Sequence, residues 1–165
     1  VQMSRGDGSA DLVQIRRGQT RAPNLEAILT NPAITKLFHF GRFDIAMLEK
    51  AFGVLTTSVY CTKIASRLAR TSTDRHGLKD LCRELLGVDL SKQQQSSDWG
   101  AEKLSEAQIA YAASDVLHLH ALKAQLDAML KREGRMALAQ ACFDFLPARA
   151  ELDLAGWGEV DIFVH

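Results

Sequence analysis

The sequence has few of the features that mark secreted, membrane-bound or strongly basic proteins. Its three cysteines, Cys61, Cys82 and Cys142, are far apart and form no CxxC or Cys/His pattern, so neither a disulfide framework nor a zinc site is expected. No apolar run approaches the length of a membrane span. Lysine plus arginine numbers 20, as does aspartate plus glutamate, which excludes a protein that coats polyanions through its overall charge. We expect a cytoplasmic protein with reduced thiols and no membrane partner.

The apolar content is sufficient for one folded domain. The 165 residues are 47% hydrophobic and 24% charged, the proportions of an ordinary globular protein with a sizeable core. Short apolar strands come first and amphipathic helices dominate later, without an internal repeat. This order predicts an α/β or α+β domain in which most helices pack on a small sheet.

Turn residues and hydrophobic periodicity predict the order of the elements. Residues 1–4 and 12–17 alternate apolar and polar side chains around a Gly-Asp-Gly turn and predict a β-hairpin. Because no helix follows this turn, it does not predict a phosphate-binding loop. Further strands are predicted over 36–40 and 59–62, and helices over 23–29, 43–52, 63–70, 77–86, 104–122 and 136–145, the last closed by Pro147.

The helix predicted over 104–122 carries two polar residues that could act together. Ser105 and Gln108 form a capping box at its start. Tyr111 and Asp115 follow, four residues apart, and therefore project from one face of the helix. A phenol and a carboxylate side by side on a rigid element can bind a metal ion and orient a water molecule. The same spacing also suits a tyrosine at the edge of the core beside a solvated acid.

A second acid follows the strand predicted over 36–40. Asp44 lies where this strand passes into a helix, a common position for catalytic groups in open sheets. An acid there is also favoured by the macrodipole of the helix alone. His39 is either a structural residue of the strand or, beside a polar cleft, a hydrogen-bond donor to a phosphate or a terminal hydroxyl.

The polar segment over 91–100 precedes the helix that carries Tyr111. It is either a solvated linker or a binding loop in which Lys92 and Gln95 contact a phosphate or a base edge. Trp99 is expected to anchor the loop in the core rather than to stack on a base.

Three separated segments together resemble one enzyme family. The chain is similar to the ribonuclease D-like branch of the DEDD 3′–5′ exonucleases, the DEDDy type, in HFGRFDIAMLE over residues 39–49, KQQQSSDW over 92–99 and YAASD over 111–115. Asp44 matches the second motif of the family, and Tyr111 and Asp115 match the third. The resemblance implies an α/β fold with a ribonuclease H-like small mixed sheet flanked by helices, as a single compact exonuclease domain over residues 1–146.

The resemblance also implies roles for individual residues. Asp44 and Asp115 are expected to hold two divalent ions, Mg²⁺ or Mn²⁺, since hard oxygen ligands suit these metals. Tyr111 is expected to orient the attacking water. Substrate contacts are expected from His39, Lys63, Arg67, Lys92, Gln95 and Asp98.

Lys63, Arg67 and Arg70 also share one face of the helix predicted over 63–70. They form either a solvated basic face or a contact for the 5′ phosphate of a short substrate.

Within this family the chain most resembles the compact bacterial nano-RNase C type. The likeness lies in the small size and in two runs of sequence, over residues 59–87 and 151–165. It implies hydrolysis of very short single-stranded RNA, notably dinucleotides, to nucleoside 5′-monophosphates by a ring-shaped homo-oligomer. Residues 147–165 are then expected to be a tail that docks on another protomer, or else a segment that wraps the surface of its own domain.

The first motif of the family, Asp-x-Glu on the opening strand, is absent from this sequence. Asp7 lies in the predicted turn and Asp11 has no glutamate two residues later, so we expect the motif upstream of Val1. The loop departs from its relatives as well, with Ser96 where many have a basic residue. Two alternatives therefore stand beside the exoribonuclease: a catalytically incomplete nucleic-acid-binding or scaffolding module, and an exonuclease that acts mainly on DNA 3′ ends.

Overall fold

A computed structural model of the chain describes residues 1–91 and 93–164. It is a single α/β domain in which helices outnumber strands. The strands are β1 (Gln2–Met3), β2 (Asp11–Leu12), β3 (Lys36–Phe38) and β4 (Val59–Cys61). The helices are α1 (Pro23–Thr30), α2 (Gly41–Phe52), α3 (Thr62–Ala69), α4 (Leu78–Leu81), α5 (Glu106–Leu117), α6 (Leu119–Arg132) and α7 (Met136–Leu152), with π-helical turns over Cys82–Leu86 and Asp153–Trp157.

The described strands form two separate pairs. Strands β1 and β2 are antiparallel, with Gln2 opposite Leu12, which confirms the predicted hairpin although each strand is only two residues long. Strands β3 and β4 are parallel, with Lys36 opposite Val59, and α2 lies in the crossover between them. Both parallel and antiparallel pairing therefore occur, as expected of a mixed sheet, but the described residues form two pairs of two strands.

Two hydrophobic clusters stabilise these elements. The larger one is centred on α6, where Leu122, Leu126 and Leu130 repeat every four residues and are fully buried. They pack with residues of β4, α3, α4 and α7, including Phe143. The smaller cluster joins α1 to the C-terminal half of α2 through Leu25, Leu29, Leu48 and Phe52. Helix α2 contributes to both clusters, so its position is fixed from two sides.

The single helix predicted over 104–122 is wrong, because the chain breaks at His118. This residue has φ −103° and ψ −4°, and it separates α5 from α6. Helix α5 packs on the hairpin, whereas α6 packs on α3 and α7. The two halves of the predicted helix pack against different parts of the domain, and one straight helix could not contact both.

The predicted end of the last helix at Pro147 is also wrong. Helix α7 runs through Pro147 to Leu152, although proline has no N–H to donate to the carbonyl four residues earlier. Leu146 and Ala150 are buried on either side of it, and their burial offsets the lost hydrogen bond. The predicted boundary between residues 146 and 147 therefore lies inside a continuous helix. Over the described parts of the chain, no helix is both long and apolar enough to span a bilayer.

Candidate active site

A tight connection after β3 positions Asp44. The strand ends at Phe38 and α2 begins at Gly41, so the predictions of a strand to residue 40 and a helix from residue 43 are each wrong by two residues. Phe40 reverses the chain in the left-handed region, with φ 68°. A Cβ at Gly41 would lie 2.8 Å from the Cβ of Phe38, so this close approach requires glycine. Asp44 follows in the first turn of α2.

The capping box predicted for the helix that carries Tyr111 and Asp115 is confirmed. The Oγ of Ser105 accepts from the backbone N–H of Gln108 at 3.2 Å, and the Oε1 of Gln108 accepts from the N–H of Ser105 at 2.9 Å. These two bonds fix the start of α5. Tyr111 and Asp115 therefore lie on successive turns of one helix face.

One cavity of about 740 Å³ brings together five of the predicted site residues. It is lined by His39, Asp44, Gln95, Tyr111 and Asp115, together with residues of β1 and β3. Residues from α2, α5 and the polar loop thus meet at one opening although they are far apart in the sequence.

The cavity carries two acidic groups without a protein partner among the described residues. Neither Asp44 nor Asp115 is hydrogen-bonded or ion-paired within 1–91 and 93–164. Burial raises the pKa of Asp44 to about 6, and burial also raises the pKa of Asp115. Burial, followed by the charge of Asp115, raises the pKa of Tyr111. A cation between the two carboxylates would favour their ionised forms.

The carboxylates of Asp44 and Asp115 supply part of the ligand set that a hard divalent metal ion requires. Two carboxylates offer the oxygen ligands that Mg²⁺ and Mn²⁺ prefer. Within the described ranges, however, no three His, Cys, Asp or Glu residues are grouped closely enough to hold an ion. Asp7 does not line the cavity, and its Oδ1 accepts from the N–H and hydroxyl of Ser9 in the hairpin turn. Asp44 and Asp115 can hold a metal together with further ligands.

His39 is oriented by a short chain of hydrogen bonds. The hydroxyl of Thr62 donates to the carbonyl of Phe38 at 3.1 Å, so its oxygen is free to accept from the Nδ1–H of His39 at 2.9 Å. This assignment leaves Nε2 as an acceptor, and not as the hydrogen-bond donor considered from the sequence. Burial, with a smaller effect of the Lys63 charge, lowers the pKa of His39 to about 4. The ring is therefore neutral at pH 7 and suited to accept a hydrogen bond from a hydroxyl.

The three basic residues predicted on one face do not stay together. Arg70 is buried, forms an ion pair with Glu84 and donates to the carbonyl of Arg75 at 2.8 Å, so it belongs neither to a solvated basic face nor to an exposed phosphate contact. Lys63 lies over the ring of Phe40, with its Nζ 4.4 Å from the ring centroid. Arg67 is exposed. Neither Lys63 nor Arg67 lines the cavity.

The polar loop contributes less to the cavity than predicted. Lys92 lies outside the described residues. Gln95 lines the cavity, whereas the Oδ1 of Asp98 accepts from the N–H of Gly100 at 2.9 Å and closes a local turn. Trp99 is 39% exposed, so the prediction that it anchors the loop in the core is wrong. Its ring instead packs against Tyr111, with centroids 5.9 Å apart and planes tilted by 42°.

Sequence reasoning missed three residues near the site. Lys79 of α4 and His120 of α6 also line the cavity. No sequence signal identifies Lys79, because a lysine on an amphipathic helix is typical of a solvated face. Gln108 was recognised only as part of a cap, yet its side chain also donates to the loop. The side-chain amide itself was the available signal. Once its oxygen is used in the cap, the N–H groups of a buried amide still need acceptors nearby.

Two carboxylates and a phenol at one cavity are groups that can bind a divalent ion and orient a water molecule, as metal-assisted hydrolysis requires. The family model described as 3′–5′ exonuclease matches residues 1–131, and the chain therefore belongs to that family. This confirms the resemblance drawn from the three sequence segments.

Relatives and solved structures agree with this membership. The chain is 37% identical over 136 residues to ribonuclease D of Gluconacetobacter diazotrophicus, covering 82% of this chain and 34% of the relative. It thus spans about a third of the length of such curated relatives. It superimposes on Brucella melitensis NrnC with bound Mg²⁺ with TM-score 0.96 and 61% identity, over 99% of this chain and 80% of the other. The same NrnC bound to pGG gives TM-score 0.95 and 62% identity, over 98% and 78%.

Proposed function

We propose that this protein is a metal-dependent 3′–5′ exoribonuclease that hydrolyses very short RNA, including dinucleotides, to nucleoside 5′-monophosphates. The observation that carries the proposal is the meeting of Asp44, Tyr111 and Asp115 at one cavity, in a chain of the 3′–5′ exonuclease family. The similarity to an NrnC that binds the dinucleotide pGG supports the length of the substrate. We further propose that the reaction occurs in the cytoplasm, which suits the free thiols of Cys61, Cys82 and Cys142.

An Asp-x-Glu strand from outside residues 1–165 would supply the remaining carboxylates. Strands β1 and β3 belong to different pairs, and both border the cavity that this further strand would have to reach. Two Mg²⁺ or Mn²⁺ ions, held by this pair with Asp44 and Asp115, would supply an activated water and neutralise charge on the phosphate.

The residues of the chain then have separate tasks. The phenol of Tyr111, which stays protonated because burial and the charge of Asp115 raise its pKa, orients the attacking water through a hydrogen bond. The Nε2 of His39 accepts a hydrogen bond from the terminal 3′ hydroxyl and fixes the end of the substrate. Gln95 contacts the phosphate or a base edge from the cavity wall. Substrate contacts from Lys92 and Asp98 are proposed on the family pattern alone.

The test uses the full-length natural protein and compares a diribonucleotide with a ribonucleotide of about ten residues. We expect faster turnover of the dinucleotide, release of 5′-monophosphates and loss of activity on chelation. Asp115→Ala should abolish hydrolysis, whereas Asp89→Ala, at an exposed position, serves as the control.

Wild-type rates in Asp115→Ala would refute the assignment. Tight RNA binding without turnover would favour the scaffolding alternative, and preferential cleavage of competing DNA would favour the DNA alternative.

Lys63 and Arg67 do not line the cavity of their own chain, and we propose that they bind the 5′ phosphate of a short substrate across a subunit boundary. Lys63→Glu and Arg67→Glu should weaken binding of a 5′-phosphorylated dinucleotide far more than binding of the unphosphorylated form. An equal loss for both ligands would contradict this role.

The C-terminal segment is proposed to join protomers of a homo-oligomer, ring-shaped by analogy with the family. Trp157, Val160 and Phe163 are 47%, 52% and 66% exposed, which is unusual for apolar side chains in sequence proximity. Phe163→Asp should reduce the mass measured by light scattering. An unchanged mass would favour a tail that covers only its own domain.

A further inference from the structure

Packing rather than hydrogen bonding orients the phenol of Tyr111. Its hydroxyl makes no hydrogen bond to any of residues 1–91 and 93–164, and its ring is half-buried. The ring of Trp99 lies 5.9 Å away and limits rotation of the tyrosine side chain. An aromatic ring on a loop can restrain its neighbour only if the loop is itself held in place.

Gln108 holds that loop. It lies one turn before Tyr111 on α5 and is only 7% exposed. Its Nε2 donates to the Oγ of Ser97 at 3.1 Å and to the carbonyl of Asp98 at 2.9 Å. Because its Oε1 accepts from the N–H of Ser105, every part of this amide is hydrogen-bonded. The residue directly after Asp98 is Trp99.

A second glutamine holds the other side of the same loop. The Nε2 of Gln14, after the hairpin, donates to the carbonyl of Ala101 at 3.0 Å. The backbone on both sides of Trp99 is thus attached, to α5 by Gln108 and to the hairpin by Gln14. The capping function of Gln108 alone would need only its Oε1, whereas its two donated bonds act on the loop.

We propose that Gln108 and Trp99 are positioning residues for Tyr111. Gln108 fixes the backbone before Trp99, the Trp99 ring restricts the Tyr111 side chain, and the phenol is thereby presented toward Asp115. The catalytic part of this inference rests on the proposed function, while the structural part does not.

The first experiment needs no activity. Residues 1–165 contain two tryptophans, so Trp157→Phe in the full-length protein, with any tryptophan outside these residues also replaced by Phe, leaves Trp99 as the reporter. Gln108→Glu keeps an oxygen for the cap but cannot donate to Asp98, and it should shift Trp99 emission to longer wavelength and increase acrylamide quenching. Ser105→Ala, which removes only the Oγ acceptor of the capping box, is the matched control and should leave both signals unchanged. Unchanged signals in Gln108→Glu, or equal shifts in both variants, would overturn the inference.

The second experiment separates positioning from general destabilisation. Trp99→Ala should lower kcat about tenfold or more with little change in KM, since small misplacement of a reacting group is costly. In a Tyr111→Phe background the same substitution should have no further effect on kcat, because it acts through the phenol. An equal loss in both backgrounds would overturn the inference. If the wild-type protein hydrolyses no RNA, the proposed function fails, and the fluorescence result still decides whether Gln108 fixes Trp99.

Discussion

The guanidinium of Arg42 on α2 binds both carboxylate oxygens of Asp153, through Nε at 2.5 Å and Nη2 at 2.7 Å. Arg149 of α7 adds a contact to the same carboxylate at 3.0 Å. The Nη2 of Arg42 also donates to the carbonyl of Gly158 at 2.7 Å. The helix that carries Asp44 is therefore joined to the segment after Pro147 by charge-assisted hydrogen bonds, which are stronger than neutral ones.

Asp153→Asn should lower the free energy of unfolding by about 1–2 kcal/mol, because it weakens a bidentate ion pair in which the Asp153 side chain is only 19% exposed. Urea unfolding at pH 7 measures the change. Arg132→Met removes the exposed pair with Glu133 and should cost about 0–1 kcal/mol. Equal costs for the two variants would contradict a special contribution of Asp153.

The two tyrosines of the chain should respond in opposite ways to loss of their hydroxyls. Tyr60 is buried and donates to Asp127 Oδ1 at 2.9 Å, so Tyr60→Phe should cost about 1 kcal/mol of stability and leave turnover at 25 °C unchanged. Tyr111→Phe should leave stability unchanged and lower kcat by about 10²-fold or more. Thermal unfolding and dinucleotide assays on the same preparations provide the comparison. A loss of stability without loss of turnover in Tyr111→Phe would contradict its assigned role.

Asp44 should destabilise the metal-free protein, because burial disfavours its ionised form. In the presence of a chelator at pH 7.5, Asp44→Asn should therefore raise the free energy of unfolding by about 1 kcal/mol or more while it abolishes hydrolysis. Urea unfolding with EDTA measures the effect. Asp89→Asn at an exposed position is the control and should change neither property. Destabilisation by Asp44→Asn would mean that the carboxylate has a stabilising partner.

His39 should make the fold sensitive to mild acid. Its pKa is about 4 in the folded state and about 6.5 in the unfolded chain, so the unfolded chain binds the extra proton first as the pH falls. The stability present above pH 6.5 is lost progressively between pH 6.5 and pH 4, by about 2 kcal/mol at pH 5. His39→Gln should lose less stability than wild type between pH 7 and pH 5 in urea unfolding. Parallel losses in the two proteins would exclude His39 as the source.

Local sequence signals predicted the elements that depend on local chemistry. The capping box of Ser105 and Gln108 and the end of the helix predicted at residue 52 both have short-range causes, and both predictions are confirmed. The meeting of Asp44 with Tyr111 and Asp115 required a comparison of motifs, because no local rule connects residues so far apart. The family resemblance supplied that connection, and the cavity agrees with it.

The wrong predictions concern tertiary contacts. Periodicity continued through His118 and could not reveal that α5 and α6 pack on different partners. The general rule that proline ends a helix predicted an end at Pro147. That rule takes no account of the burial of Ala150, which lies beyond Pro147 in the same helix. The spacing of Lys63 and Arg70 placed both on one basic helix face. Arg70 instead forms an ion pair with Glu84, which lies in another helical segment and could not be identified from the spacing.

The two halves of the candidate site differ in rigidity. Helix α2 buries side chains in both hydrophobic clusters, whereas α5 buries only Gln108 and Ala112. Local opening is easier where fewer side chains are buried. We therefore expect α2, which carries Asp44, to be more rigid than α5, which carries Tyr111. Any displacement needed to admit a substrate or release a product should occur in α5 and leave the carboxylate of Asp44 in place.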